Sequence, residues 1–321
     1  MSKADSLVLE FESTKNSLDA QKNSEDKPSG GVPFHAPHPI PYQGSKRNLA
    51  PEILAKVSNR RFRRLYEPFA GSAAITIAAA NMKLANEYII SDALQPLMSI
   101  WNQILSSPHM LANDYERLWS EQLTSDANYY YKVRDDFNRF REPATLLYLL
   151  ARCVKNALRF NQQGDFNQSY DKRRLGMHPH KMRIEILGAS LLLAKKTKTL
   201  QGEFEAALAG ATADDLVYLD PPYEGTSTGI NKRYYKGVDR DRLIATLRDL
   251  NRRDVPYLLS YDGCCGTTIY GSPLPEDLHL TRLELVAGRS SQATLSGRSE
   301  ITVESLYVSR NLFSSFQQMY Y

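Results

Sequence analysis

The stretch "YLDPPYE", Tyr218 to Glu224, places a carboxylate, two imino acids and an aromatic ring directly after an apolar run. Pro221 and Pro222 lack the amide hydrogen a sheet ladder needs and hold the backbone stiff and extended. Asp220 is therefore expected just past a strand end, in a corner that also offers the carbonyl of Pro221 and the face of Tyr223. A corner of this kind suits an exocyclic ring amine, which is a poor nucleophile because its lone pair is delocalised into the base. Two acceptors on the amine hydrogens, the Asp220 carboxylate and the Pro221 carbonyl, would localise that pair, and Tyr223 would stack on a base that has left its duplex. Toward a sulfonium methyl, orientation and electrostatics would then suffice, without a covalent protein nucleophile.

A second motif, "YEPFAGSA" from Tyr66 to Ala73, reads as a strand ending in an acid and followed by a glycine bend. Gly71 lets backbone approach a ligand closely at the carboxyl edge of a sheet. The motif has neither the G-x-G-x-x-G spacing of dinucleotide sites nor the G-K-[ST] of phosphate loops. Asp92, at the end of the next strand, is placed either to bind the hydroxyls of a ribose or to cap a helix. Taken with Gly71, it describes a nucleoside-bearing ligand that needs no pyrophosphate cradle.

The elements that must position these residues alternate. The segment "GSKRNLAPEILAKV" reads as a turn and short helix with Leu49, Ile53, Leu54 and Val57 on one side. "FRRLYEPFAGSAAITIAAANM" reads as strand, bend and small-residue helix, and "YIISD" as a second strand. Residues 96–194 read as helical, rich in Tyr, Arg and Asn. Strands return at "TKTLQ" and "DDLVYLD", a helix at "DRDRLIATLRDLNRR", a strand at "VPYLLSYDG", and a hairpin at "LHLTRLELVAG" and "EITVESLYVSR" around the loop "RSSQATLSGRS". This order implies an α/β fold with a doubly wound, mainly parallel sheet. The expected division is a disordered or loosely docked leader over 1–36, a cofactor-binding domain over 37–95 and 195–321, and a helical insertion over 96–194.

At 321 residues and 42% apolar composition, the chain is long enough for a large core, and no apolar run approaches a membrane span. Three cysteines give no disulfide framework and suit a reducing cytoplasm. Neither the pair Cys264–Cys265 nor His178 and His180 reaches a metal-ligand spacing, so no metal is expected. The net charge is only +4, but between Arg152 and Arg183 eight basic residues face two acids. That block is interleaved with Phe160, Phe166 and Tyr170, a pattern that fits either a nucleic-acid surface or a solvated basic face.

In this order, "PYQGSK", "EPFAGSA", the insertion and "DPPY", the chain resembles the Dam-like family of S-adenosylmethionine-dependent DNA adenine-N6 methyltransferases. The similarity runs from about Pro41 to Arg310. It implies a Rossmann-like catalytic domain carrying an inserted helical target-recognition domain, with double-stranded DNA as the partner and a restriction-modification or phage setting. The resemblance further implies that Tyr42, Gly44 and Lys46 lie beside the methionine part of the cofactor. Glu67, Phe69 and Gly71 would form the turn beneath it, Asp92 would bind its ribose, and Glu203 and Phe204 would hydrogen-bond and stack its adenine. Asp220, Pro221, Pro222 and Tyr223 form the catalytic string. In "KNALRFNQQGDFN", Arg159 is the base-reading candidate, best placed to grip a guanine, or else a phosphate contact. Asn161, Asp165, Phe166 and Asn167 would receive the extruded base or its strand, and Lys172, Arg173 and Arg174 would grip the backbone. A companion endonuclease on the same site needs no stable complex, and a monomer or weak dimer is expected. Cytosine-N4 or RNA-adenine methylation and a non-catalytic DNA-binding relative are the competing readings. The chain departs from close relatives at "FNQSYD", where they carry a proline and a glycine, and at Pro41-Tyr42, where they carry a lysine and a tryptophan.

Overall fold

The computed structural model describes residues 36–222, 238–265, 268–270, 273–289 and 301–312. The leader expected over 1–36 and the loop "RSSQATLSGRS" therefore lie almost wholly outside the described residues. In chain order the strands are β1 (Phe62–Glu67), β2 (Ala85–Asp92), β3 (Thr197–Gln201), β4 (Leu216–Leu219), β5 (Tyr257–Cys265), β6 (Thr268–Tyr270), β7 (Thr281–Arg289) and β8 (Ile301–Val308). The helices are α1 (Ala50–Ala55), α2 (Ala74–Asn81), α3 (Gln95–Ser106), α4 (Pro108–Thr124), α5 (Tyr129–Phe140), α6 (Pro143–Arg152), α7 (Pro179–Leu193), α8 (Phe204–Leu208) and α9 (Arg240–Arg252). Among the described residues, no helix is long and apolar enough to cross a membrane.

The chain divides into two compact units. One holds Lys46–Ala93 and the chain from Lys198 onward, and is built on a sheet of order β3-β2-β1-β4-β5-β8-β7, with β6 added to β5. The ladders β1/β2, β1/β4 and β4/β5 are parallel, whereas β5/β8 and β7/β8 are antiparallel. An expected mainly parallel sheet thus holds across its centre, and the C-terminal hairpin turns one side antiparallel. Strand β4 is buried on both faces, and β1 is so from Leu65 to Glu67, as a sheet covered by helices requires. Leu65, Leu216, Val217 and Leu219 are fully buried. The alanines of α2 let that helix sit close to the sheet, and all its residues but Ala78 and Asn81 are buried. Helix α9 starts where Asp239 Oδ1 accepts the amide hydrogens of Asp241 and Arg242.

Parallel pairing sets the working edge. Glu67 pairs with Ile90, Tyr66 with Val217 and Leu219 with Leu259, so β1, β2 and β4 release Glu67, Asp92 and Asp220 at the same carboxyl side. The opposite end is clamped by Asp215, which is fully buried. It accepts from Arg63 at 3.1 and 2.9 Å, from Arg64 at 3.4 and 3.3 Å and from the Thr212 amide at 2.9 Å. Burial opposes its ionisation, yet the Arg63 hydrogen bonds hold its carboxyl below the usual range.

The second unit contains residues 36–45 and Leu94–Thr197. Residues 37–45, expected with the catalytic domain, group here instead, where the Gln43 amide donates to the Asn156 carbonyl and the His38 amide to Glu185. Helices α3 to α7 enclose Trp101, Tyr115, Phe137 and Tyr148, all fully buried. Arg152, 8% exposed, is held inside by the carbonyls of Asp171 and Arg174.

Asp215→Asn should lower the unfolding free energy by about 1–3 kcal/mol, because it leaves two guanidinium groups short of a charge while half of Arg63 stays in water. Urea unfolding followed by circular dichroism measures it, and an unchanged midpoint would show that the clamp is not needed.

Candidate active site

The bend after β1 is tightly determined. Gly71 has φ +49°, in the left-handed region that suits glycine, and Ala73 follows at φ +48° immediately before α2. The Ala70 amide donates to the Ser91 carbonyl at 2.9 Å, and the Gly71 amide donates to Asp92 Oδ2 at 3.1 Å. Asp92 is 8% exposed, and its own carbonyl accepts from Gly202 at 3.4 Å. The structure thus brings the glycine bend and the second strand's terminal acid into direct contact. Asp92 serves this bend rather than capping α3, which begins after Leu94 without a side-chain cap.

Glu67 is 3% exposed and accepts the Thr76 amide hydrogen at 2.8 Å, so it closes the first turn of α2. Burial pushes its carboxyl up to about 7, and the charge of Asp220 adds to the rise, while the hydrogen bonds from Thr76 and Ile75 oppose it. Asp220, one residue beyond β4, keeps a fifth of its side chain exposed. Its Oδ1 lies 3.2 Å from Lys46 Nζ, and the same Nζ lies 3.0 Å from Glu304 Oε2 on β8. Burial alone would lower the Lys46 ammonium, but Asp220, Tyr218 and Glu304 together hold it above its ordinary value. Lys46 is therefore an interior counter-ion and not a surface residue at the head of α1. Pro221 is buried and Pro222 exposed, while Tyr223 lies outside the described residues.

Glu203 and Phe204 open α8, a short helix that the sequence reading did not distinguish. The Phe204 ring is 4% exposed, 5.1 Å from that of Phe69, and the Arg242 guanidinium lies 5.6 Å over it. Arg242 also reaches Glu203 at 2.8 Å and Glu205 at 2.7 Å. Glu304 and Arg242 were both missed. For Glu304 a signal existed: it shares its strand face with Leu306 and Val308, both fully buried, so a charge interrupts an inward apolar alternation.

In the helical unit, Tyr42 and Gly44 lie on the segment whose Gln43 is tied to Asn156, with Gly44 at φ +83°. The chain from Cys153 doubles back to Tyr170 through the isolated bridges Cys153 with Tyr170 and Phe160 with Phe166. Asn161 Oδ1 accepts the amides of Gln163 and Asp165, so Asn161 builds the tip of this hairpin, where Gly164 has φ +82°. Asp165 pairs with Arg141 at 3.1 Å. Phe166 corrects the expectation of an aromatic surface for a base: it is 1% exposed and packs edge-on against Phe137 and Phe160. Arg173 donates three hydrogen bonds to Asp171, one from its amide and two from its guanidinium, and Arg174 donates to the Cys153 carbonyl. Arg159, Asn167 and Lys172 stand exposed. His178 Nδ1 accepts the His180 amide, and no metal-ligand cluster exists among the described residues.

Adjacent parallel strands thus end in a glycine bend, a bend-bound acid and a proline-stiffened acid at the carboxyl edge of a doubly wound sheet, the place where sheets of this kind bind ligands. Comparison with known proteins narrows the reading. Over residues 42–287 the sequence matches the D12 class N6 adenine-specific DNA methyltransferases. Type II methyltransferase M.MjaIII of Methanocaldococcus jannaschii is 28% identical over 62% of this chain and 73% of its own. Type II methyltransferase M1.LlaDCHI of Lactococcus lactis subsp. cremoris is 26% identical over 81% and 91%. The DNA N-6-adenine-methyltransferase of Escherichia phage P1 is 27% identical over 63% of this chain but only 27% of its own length. The chain belongs to the D12 class N6 adenine-specific DNA methyltransferase family.

The position of Glu67 has a consequence for stability. Its carboxyl ordinarily titrates near 4.5 and here near 7, so its favourable contribution is complete below about 4.5 and is lost as pH rises to about 7. Glu67→Gln keeps an acceptor for the Thr76 amide without the charge. The wild-type unfolding free energy should fall relative to this variant by on the order of 3 kcal/mol between pH 5 and 7.5. Denaturation at a series of pH values tests this, and a constant difference would contradict it.

Proposed function

We propose that this chain methylates the N6 amine of an adenine extruded from double-stranded DNA at a specific site, with cytoplasmic DNA as its substrate. The observation that carries the reading is Asp220, fixed one residue past β4 before two prolines, with Lys46 on one carboxylate oxygen at 3.2 Å. Asp220 and the Pro221 carbonyl would accept the two amine hydrogens and draw the nitrogen lone pair out of the ring, and Tyr223 would stack on the base. The proton the amine sheds would leave through Asp220, whose partial exposure connects it to solvent.

S-Adenosylmethionine, when bound, supplies the electrophilic methyl group. The residues present suit it. The glycine bend lies at the carboxyl edge, Asp92 is anchored there by the Gly71 amide for a ribose, and Phe69 packs on Phe204, the residue after Glu203. Tyr42, Gly44 and Lys46 supply the remaining candidate contacts. In the helical unit, Arg159, Asn167 and Lys172 are the best-placed contacts to DNA. Arg173, Arg174, Asn161 and Asp165 shape the hairpin that carries them. The names of the relatives from Methanocaldococcus and Lactococcus support a restriction-modification setting.

The deciding experiment incubates purified protein with DNA and S-adenosylmethionine and sequences the product by a method that reports N6-methyladenine. It fixes the base, strand and context together, and methyl on cytosine N4, on RNA alone or nowhere would overturn the proposal. Asp220→Ala should abolish transfer while cofactor binding by calorimetry persists, and near-normal turnover would refute its role. Arg159→Ala should relax recognition at one base pair at a cost of about 1–3 kcal/mol. A uniform loss over all sequences would make it a phosphate contact instead.

A further inference from the structure

The chemistry asks Asp220 to accept hydrogen from an amine, yet Asp220 already shares an ammonium. Lys46 Nζ lies 3.2 Å from Asp220 Oδ1 and 3.0 Å from Glu304 Oε2, and the three side chains are 10, 20 and 21% exposed, in the order Lys46, Asp220 and Glu304. At this depth an ammonium acting on one carboxylate alone would drain much of its acceptor strength. A second carboxylate on the other side of the ammonium divides that charge and fixes Nζ in place.

Among the described residues, the cation that Glu304 meets at ion-pair distance on this face is Lys46. Glu304 pairs with Gly263 of β5 and Leu285 of β7, on the strand face that Leu306 and Val308 bury. Withdrawing a carboxylate from water there is costly unless a partner offsets it. The partner it finds is the residue that touches Asp220. We infer that Glu304 is a positioning residue for methyl transfer: by holding Lys46 it sets the orientation and the negative charge with which Asp220 meets the target amine. The inference rests on the methyl-transfer reading and extends it to a strand outside the "DPPY" corner.

The test compares wild type with Glu304→Gln, which keeps the shape and removes the charge. It measures single-turnover methylation of DNA, the dissociation constants for DNA and for S-adenosylmethionine, and the thermal midpoint. The expected result is at least about a tenfold loss in rate with both dissociation constants within about threefold of wild type. Glu304→Asp, which restores the charge, should recover part of the loss. In a Lys46→Met background, Glu304→Gln should have no further effect, because the two act through one contact. An unchanged rate, a loss that appears in affinity instead of rate, or full additivity with Lys46→Met would overturn the inference. Should Glu304→Gln fail to fold, the comparison passes to Glu304→Asp, whose shorter arm draws the carboxylate away from Lys46: a several-fold loss of rate with both dissociation constants unchanged upholds the positioning role, and a wild-type rate overturns it. An inactive wild type would overturn the methyl-transfer reading itself, and this inference with it. An active wild type whose rate is indifferent to Glu304 overturns the inference alone.

Discussion

Parallel strands deliver their carboxyl ends side by side, and here three of those ends bring acids to one edge. Neighbouring strands lie about 4.8 Å apart, so like charges at their tips repel strongly once water is thinned. The site depends on how that repulsion is met, and the chain uses a different solution for each acid. Glu67 is driven toward its neutral form and closes α2, Asp92 is tied to the Gly71 amide, and Asp220 shares the Lys46 ammonium with Glu304. The acid assigned to chemistry is the one left partly open to solvent, while the two that build the frame are buried.

The same frame explains the departure from a wholly parallel sheet. Beyond β5 the hairpin β7–β8 runs antiparallel, and it carries Glu304 back toward the carboxyl edge. A parallel strand there would need a further crossover helix. The antiparallel pairing places a carboxylate beside Lys46, and β5 carries an irregularity between Ser260 and Gly263, where Asp262 takes φ +58°.

Much of this was readable in the residues. The bend at Gly71, the proline corner at Asp220 and the strand Thr197–Gln201 have local causes, namely backbone freedom, missing amide hydrogens and side-chain period. What stayed hidden is long-range. A lysine in a turn looks the same whether it points to water or to Asp220 far along the chain, so the burial of Lys46 and its contact with Glu304 emerge only with the sheet order. Phe166 was misjudged for a related reason: aromatics between basic residues look alike whether they await a base or pack on Phe137. Arg173 and Arg174 contribute to net charge in a sequence, but folding engages them with Asp171 and the Cys153 carbonyl.

The helical unit leaves the sheet after β2 and returns at β3, and these two strands are neighbours. The return is fastened where the Gly202 amide meets the carbonyl of Asp92. An insertion whose two stems are closed by adjacent strands adds little closure entropy as it lengthens, and it can be exchanged without opening the sheet. The long stretch from Leu94 to Thr197 thus joins two neighbouring strands, and changes of length within it leave the pairing at the carboxyl edge as it is.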